Sequence, residues 1–266
     1  MEGTVKFKNA NLHYRDEGDG NVLVLLHGYL ESMDIWGSFK DELSRYYRVV
    51  TIDLPGHGES DTVCETHTME VMADAVEIIL NHLDIGRAVI TGHSMGGYVT
   101  QAFAEIFPEK TAGFCLFHSH GFADSEEKKA NRDREIELVK SGKKMQIFKI
   151  NIPRAFANDN LHRFSDEVKR SGQIALATTE NGIVCALKGM KARPDRRKVI
   201  MESVVPVLII AGRKDNYIPF GIYEQHFNLA PGTDVLILEN SGHMGFIEEK
   251  EKSLEGILKF LDKVYT

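Results

Sequence analysis

A serine between two glycines, in residues 91–99, carries the clearest chemical signal of this sequence. The segment reads Thr-Gly-His-Ser-Met-Gly-Gly-Tyr-Val and places Ser94 in the pattern Gly-x-Ser-x-Gly. An apolar run precedes it and residues with helical spacing follow it, which predicts a turn from strand to helix. In that context the pattern is typical of a nucleophile elbow, which exposes a serine hydroxyl at the end of a sheet. The simpler alternative is a glycine-rich turn that happens to contain serine.

A nucleophilic serine needs partners. Its hydroxyl is weakly nucleophilic at neutral pH, so a base must accept its proton, and histidine has an ordinary pKa in that range. Attack on a carbonyl also creates an oxyanion, which needs backbone N–H donors already in place. Met95 follows the serine and begins the predicted helix, so its N–H is expected to be one donor. His93 adjoins the serine, but in an elbow its side chain should point away from Ser94.

Alternating strands and helices are predicted to position this serine. The predicted strands are residues 5–8, 11–15, 22–26, 48–52, 88–90, 112–117, 204–210 and 234–238, and helices are predicted near residues 36–46, 67–83, 100–107 and 221–229. Strands such as 22–26 are apolar at every position, which indicates a parallel sheet covered by helices on both faces. The sequence therefore predicts an α/β, doubly wound, mostly parallel sheet, which binds ligands beyond the carboxyl ends of its strands.

The alternation is interrupted once. Residues 122–198 contain several helical segments and no convincing buried strand. We predict that this segment is a helical lid inserted into a core formed by residues 1–121 and 199–266.

Five segments at successive predicted strand ends resemble the α/β-hydrolase fold family, and the resemblance covers essentially the whole chain. They are His27-Gly28, residues 53–60, residues 92–97, Gly212-x-x-Asp215-x-x-x-Pro219 and Ser241-Gly242-His243. The order Ser, Asp, His is the order that this family uses. The resemblance implies that Ser94 is the nucleophile, His243 the base and Asp215 the carboxylate that orients the base. It also implies that the N–H of Tyr29 is the second oxyanion donor.

Rival residues exist for these roles. His118 and His120 follow a predicted strand and are alternatives to His243, whereas His27 is expected to be structural. Asp53 and Asp124 are the rival carboxylates, and we interpret Asp53 as a turn former and Asp124 as the start of a helix in the insertion.

Serine at position 94 restricts the class of reaction that we expect. Relatives that open epoxides or remove halide carry aspartate at this position, so we expect acyl transfer to water, with a small-molecule carboxylic ester or thioester as substrate. Carbon-carbon bond hydrolysis, or a lyase reaction of the menaquinone-pathway type, is the alternative within enzymes. A non-catalytic ligand receptor on the same fold is the alternative outside them.

Charge separates the two predicted parts of the chain. The whole chain of 266 residues has a net charge of −7, whereas residues 122–198 contain 18 Lys and Arg against 11 Asp and Glu, a net charge of +7. Solvated helix faces are the simple explanation. The functional one is an anionic substrate or an acidic partner, because relatives include an esterase for a pimeloyl ester on an acidic carrier protein, lactonases and carbon-carbon hydrolases. Nucleic acid is not expected, given the acidic total.

The remaining composition suggests an ordinary enzyme of the cytoplasm. The chain has no basic-then-apolar leader and no run of 18 apolar residues, so we expect no membrane partner and a cytoplasmic location. Cys64, Cys115 and Cys185 lie far apart and show no C-x-x-C spacing, and no H-E-x-x-H occurs. Neither a metal nor a cofactor is therefore expected.

Overall fold

One eight-stranded sheet organises the protein. The computed structural model describes residues 1–229 and 232–266. Within them the strand order is β1-β2-β4-β3-β5-β6-β7-β8. The strands are β1 (Glu2–Phe7), β2 (Ala10–Glu17), β3 (Val22–Leu26), β4 (Arg48–Ile52), β5 (Ala88–His93), β6 (Thr111–Phe117), β7 (Val207–Gly212) and β8 (Asp234–Leu238). Strands β1 and β2 pair antiparallel with their neighbours and the other pairs are parallel, so the predicted α/β architecture is confirmed.

Helices cover both faces of this sheet. They are α1 (Gly37–Leu43), α2 (Met69–His82), α3 (Met95–Ile106), α4 (Glu126–Lys140), α5 (Lys144–Arg154), α6 (Ser165–Ala177), α7 (Glu180–Ala192), α8 (Arg197–Met201), α9 (Phe220–Phe227), α10 (Gly245–Glu248) and α11 (Lys250–Tyr265). No helix in the described part of the chain is long and apolar enough to cross a membrane.

The central strand β3 shows why its sequence is apolar throughout. Leu23 and Leu25 pack in a core cluster on one face of the sheet, and Val24 and Leu26 pack in another on the opposite face. Successive side chains of a strand point to opposite faces, so a strand buried on both sides needs an apolar residue at each position.

Helices α4 to α7 and the start of α8 occupy residues 122–198, the segment predicted to be a lid. The chain is described throughout this stretch, and it forms helices and loops there without a strand. We call residues 122–198 the helical insertion. That it works as a lid stays a prediction.

Helix α3 begins at Met95, directly after the serine, as predicted. Strand β7 begins at Val207 and not at residue 204, because Val204 is 96% exposed and Pro206 has no N–H for a strand ladder.

Candidate active site

Ser94 lies in the tight turn between β5 and α3. Its backbone has φ 50° and ψ −110°, a conformation that costs a residue other than glycine about 1–3 kcal/mol. Three hydrogen bonds hold the turn: Ser94 N–H donates to Phe117 O at 2.9 Å, Gly97 N–H to Ser94 O at 3.0 Å, and Ser119 Oγ to Ser94 O at 2.8 Å. The flanking glycines are required by space, because a Cβ on Gly92 would lie 2.2 Å from the carbonyl oxygen of Gly96.

Asp215 and His243 are joined directly. The distance from His243 Nδ1 to Asp215 Oδ2 is 2.7 Å. The same carboxylate accepts from the N–H groups of Tyr217 and Ile218, at 2.7 and 3.0 Å, and from Tyr223 Oη at 2.6 Å. Burial alone would raise the pKa of Asp215, but the adjacent His243 ring and the donated hydrogen bonds hold this pKa well below its usual range. Asp215 is therefore an ionised acceptor that orients His243.

The loop of His243 is fixed by a buried carboxylate that the sequence analysis did not single out. Glu248 accepts from the N–H of Gly242 and the N–H of Ala157, both at 2.8 Å. The N–H of His243 itself donates to Ala155 O at 2.7 Å. Because Ala155 and Ala157 belong to the helical insertion, the insertion holds the histidine loop in place.

Ser94 and His243 line one pocket of about 230 Å³, together with Tyr29 and residues of the insertion. Among the described residues the Ser94 hydroxyl and the His243 ring form no hydrogen bond. In enzymes without bound substrate this contact is commonly long. The pocket thus brings together three of the predicted site residues, with Asp215 directly behind His243.

The two predicted oxyanion donors belong to the turns that follow β5 and β3. Met95 is the first residue of α3, where backbone N–H groups have no partner within the helix. Tyr29 follows β3 and lines the pocket, and the next residue, Leu30, has a left-handed backbone with φ 63°. The loop is anchored by Glu31 Oε2, which accepts from Gly28 N–H at 2.6 Å.

Glu31 and His93 form a buried pair that sequence reasoning missed. His93 Nδ1 lies 2.9 Å from Glu31 Oε2, and His93 Nε2 lies 2.8 Å from the carbonyl oxygen of His243. Burial opposes protonation of His93, but the charge of Glu31 raises its pKa. The position of His93 beside the nucleophile was the available signal, whereas Glu31 has no recognisable motif.

The rival residues have other partners. Asp53 accepts from the N–H groups of Met33 and Glu59, at 2.8 and 2.9 Å, and so orders the turn after β4. Asp124 is buried and paired with arginines. His27 Nε2 accepts from Leu54 N–H at 3.0 Å and is structural.

His118 lies behind His243. Its Nδ1 and Nε2 lie 3.1 and 3.0 Å from the N–H groups of Gly212 and Gly245. His118, Asp215 and His243 are also grouped closely enough to suggest metal ligands, with ligand atoms within 4.8 Å of one another. Both ring nitrogens of His118 already face backbone amides, and Asp215 and His243 bond to each other. Hydrogen bonds already occupy these ligand atoms, so the donor set fits a metal ion poorly.

Comparisons with known proteins agree with this fold. Residues 21–126 match the model of the alpha/beta hydrolase fold family. The structure resembles a thermophilic esterase from Thermogutta terrifontis with a TM-score of 0.95 and 30% identity, covering 100% of both chains.

Two curated relatives show different activities on related chains. A 2-hydroxy-6-oxononadienedioate/2-hydroxy-6-oxononatrienedioate hydrolase from Burkholderia vietnamiensis is 28% identical over 94% of this chain and 90% of its own length. The acetyltransferase component of an acetoin cleaving system from Pseudomonas putida is 29% identical over 92% of this chain. The match spans only 64% of that relative's length. The chain belongs to the α/β-hydrolase fold family, and it is a hydrolase of that family by fold and relationship.

Proposed function

We propose that this protein is a serine hydrolase that cleaves a carboxylic ester or thioester through an acyl-enzyme on Ser94. The observation that carries the proposal is the 2.7 Å contact between Asp215 and His243, with His243 and Ser94 lining one pocket. An ionised, fully hydrogen-bonded Asp215 is suited to fix the tautomer of His243 and to stabilise its imidazolium form.

The reaction follows from these positions. Ser94 Oγ attacks the carbonyl carbon of the substrate while His243 Nε2 takes the hydroxyl proton. The N–H groups of Met95 and Tyr29 donate to the resulting oxyanion. His243 returns the proton to the departing alcohol or thiol, which leaves an acyl group on Ser94. Water, deprotonated by His243, then attacks this acyl group and releases a carboxylic acid and free Ser94.

Carbon-carbon bond hydrolysis is the second candidate, and the relationship to the dienedioate hydrolase favours it. The two reactions differ in the bond that breaks, so product analysis separates them. A panel of alkyl esters and a vinylogous diketone would be incubated with the protein. Release of alcohol from the esters alone supports the esterase, and cleavage of the diketone alone supports the alternative.

A fluorophosphonate probe tests the mechanism itself, because it labels a serine that a base activates. We expect labelling of Ser94, found by mass spectrometry, and loss of labelling in Ser94→Ala and His243→Ala. Ser38→Ala is a matched control, since Ser38 is exposed and contacts Lys250. Labelling that persists in Ser94→Ala would refute the mechanism.

The basic insertion also suggested an acidic carrier protein as partner. One of its cations is paired with carboxylates of the core, Arg196 with Glu70 and Glu105. This pairing lowers the charge available to a docking protein, and we take a free small-molecule ester as the substrate. The carrier partner and the cytoplasmic location stay predictions.

A further inference from the structure

We infer that the pocket contains a carboxylate-binding subsite formed by Lys128 and Arg132, so that the preferred substrate is an ester that carries a second, anionic carboxylate. The inference rests on the proposed ester hydrolysis and adds the chemical class of the substrate.

One face of α4 turns charged side chains into the pocket. Lys128, Arg132 and Glu135 are spaced by four and three residues, which places them on one side of the helix, and all three line the pocket. Glu135 lies at the Tyr29 end, where it accepts from Tyr29 Oη and Asn151 Nδ2 at 3.4 Å each. The cationic end is therefore the end formed by Lys128 and Arg132.

The cations at this end exceed the carboxylates. Asp124 is fully buried and pairs with two guanidinium groups, those of Arg132 and Arg193. Lys128 has no carboxylate partner among the described residues, whereas its neighbour Lys129 pairs with Glu126 at 2.8 Å. Arg132 and Arg193 thus share one carboxylate, and the half-buried Lys128 adds a third cation to this wall, which also carries Glu135. Positive charge that is partly withdrawn from water is stabilised by an anion.

Arg193 provides an independent observation. Its side chain is almost fully buried, and its Nε and Nη2 atoms have no hydrogen-bond partner within the described residues. The guanidinium lies 3.8 Å from the ring centre of Tyr98, which lines the pocket. The positive charge of Arg193 is therefore only partly neutralised, and it lies directly behind Tyr98 in the pocket wall. Its field adds to that of Lys128 and Arg132.

The position of Tyr98 sets the expected distance from the reacting carbon. Tyr98 lies four residues after Ser94 on α3, a rise of about 6 Å. The pocket of about 230 Å³ is smaller than the ~300–1,000 Å³ typical of sites for drug-sized ligands. We therefore expect a carboxylate two to four bonds from the scissile carbonyl to approach the Tyr98 wall and the cations beside it, which points to small half-esters of diacids or small hydroxy-acid esters.

A polar atom without a partner supports a polar ligand. Ser171 on α6 lines the same pocket, and its buried Oγ has no hydrogen-bond partner among the described residues. A hydroxyl left unpaired by the protein is available to a ligand oxygen, and a carboxylate supplies two.

The experiment compares each charged substrate with a neutral isostere. Monomethyl succinate carries its charge on the acyl side of the ester and is compared with neutral methyl succinamate. O-acetylglycolate carries its charge on the alcohol side and is compared with neutral O-acetylglycolamide. We expect kcat/KM for the anionic ester to exceed that of its isostere at least tenfold in one pair. Lys128→Gln should reduce this ratio about tenfold, as expected for loss of one charged hydrogen bond.

Lys129→Gln is the matched control, because it removes the same charge from the next residue of α4 while sparing the pocket, and its ratio should equal that of the unaltered protein. Arg132→Gln, with thermal unfolding measured alongside, should also lower the ratio. Equal rates for anionic and neutral esters in both pairs would overturn the subsite. If none of the four esters is hydrolysed and the fluorophosphonate does not label Ser94, the result contradicts the proposed ester hydrolysis itself. This outcome is thereby distinguished from failure of the subsite, in which the esters are hydrolysed at equal rates.

Discussion

His93 Nε2 lies 2.8 Å from the backbone carbonyl oxygen of His243, and His93 Nδ1 lies 2.9 Å from Glu31 Oε2. Both ring nitrogens face acceptors, so both must donate, and the ring is an imidazolium. Glu31 also accepts from Gly28 N–H at 2.6 Å. A single buried ion pair therefore connects two loops of the site. Glu31 holds the loop that contains Gly28 and Tyr29, and His93, the residue before Ser94, contacts the loop of His243.

Breaking this pair should disturb the catalytic loops and the fold together. In Glu31→Gln we expect kcat for an ester to fall about tenfold, and the free energy of unfolding to fall by up to about 3 kcal/mol, because His93 loses the anion that stabilises its charge. Urea unfolding and steady-state kinetics measure both effects. Glu137→Gln, at an exposed ion pair with Lys140, should change stability by less than about 0.5 kcal/mol.

The double variant tests the coupling. If Glu31 and His93 act as one unit, Glu31→Gln combined with His93→Gln should destabilise the protein by clearly less than the sum of the single variants. Additive losses of stability would contradict a direct pair.

The Asp215→Asn variant should retain the fold and lose nearly all of its hydrolytic activity. The amide cannot hold His243 in the required tautomer or stabilise its imidazolium, so we expect kcat to fall about 10³- to 10⁴-fold. Ester hydrolysis under saturating substrate measures this, and circular dichroism checks the fold. A fall of less than tenfold would exclude Asp215 from the proposed role.

The turn at Ser94 should not accept a side chain at Gly92. A Cβ there would lie 2.2 Å from the carbonyl oxygen of Gly96 and 2.3 Å from Thr100 Oγ1, so Gly92→Ala should cost about 3 kcal/mol or more. At Gly86 a Cβ would meet no atom of the described residues within 4 Å, so Gly86→Ala is the control and should cost less than about 0.5 kcal/mol. Similar unfolding midpoints for the two variants would show that the turn at Ser94 can accommodate a side chain at Gly92.

Acid should destabilise the protein well above the range in which carboxylates titrate. Burial lowers the pKa of six histidines, in the case of His67 to about 4; the others are His27, His57, His118, His120 and His226. Their folded pKa lies below the unfolded value of about 6.5. The stability that they contribute is therefore present above pH 6.5 and is lost as the pH falls.

His93 acts in the opposite sense. Its raised pKa contributes stability that is present below pH 6.5 and lost as the pH rises through the folded value. Because six histidines with a lowered pKa act against His93 alone, we expect the free energy of unfolding to decrease from pH 7 to pH 5. Each histidine adds up to about 1.4 kcal/mol per pH unit. Urea midpoints at pH 5, 6, 7 and 8 provide the measurement, and an unchanged or rising midpoint toward pH 5 would contradict this account.

Much of the architecture could be predicted because its signals are local. Strand β8 spans residues 234–238 and β3 spans residues 22–26, as the apolar runs indicated. The contacts that support a turn were less predictable. The strained backbone of Ser94 is held by β6 and by Ser119, which no window around residue 94 reveals.

The sequence by itself determined the fold class, the position of the elbow and the identities of the candidate Ser94, Asp215 and His243, because each follows a strand whose apolar pattern is visible in the chain. Only the tertiary structure decided that Glu31, His93 and Glu248 hold the loops of the site and that Arg132 and Arg193 share the carboxylate of Asp124 beside the pocket. Glu31 and His93 are 62 positions apart in the chain, and Glu248 accepts from Ala157, 91 positions away. The charges beside the pocket depend on which side of a helix faces inward. Burial and charge neutralisation belong to the assembled fold, so no local pattern encodes them.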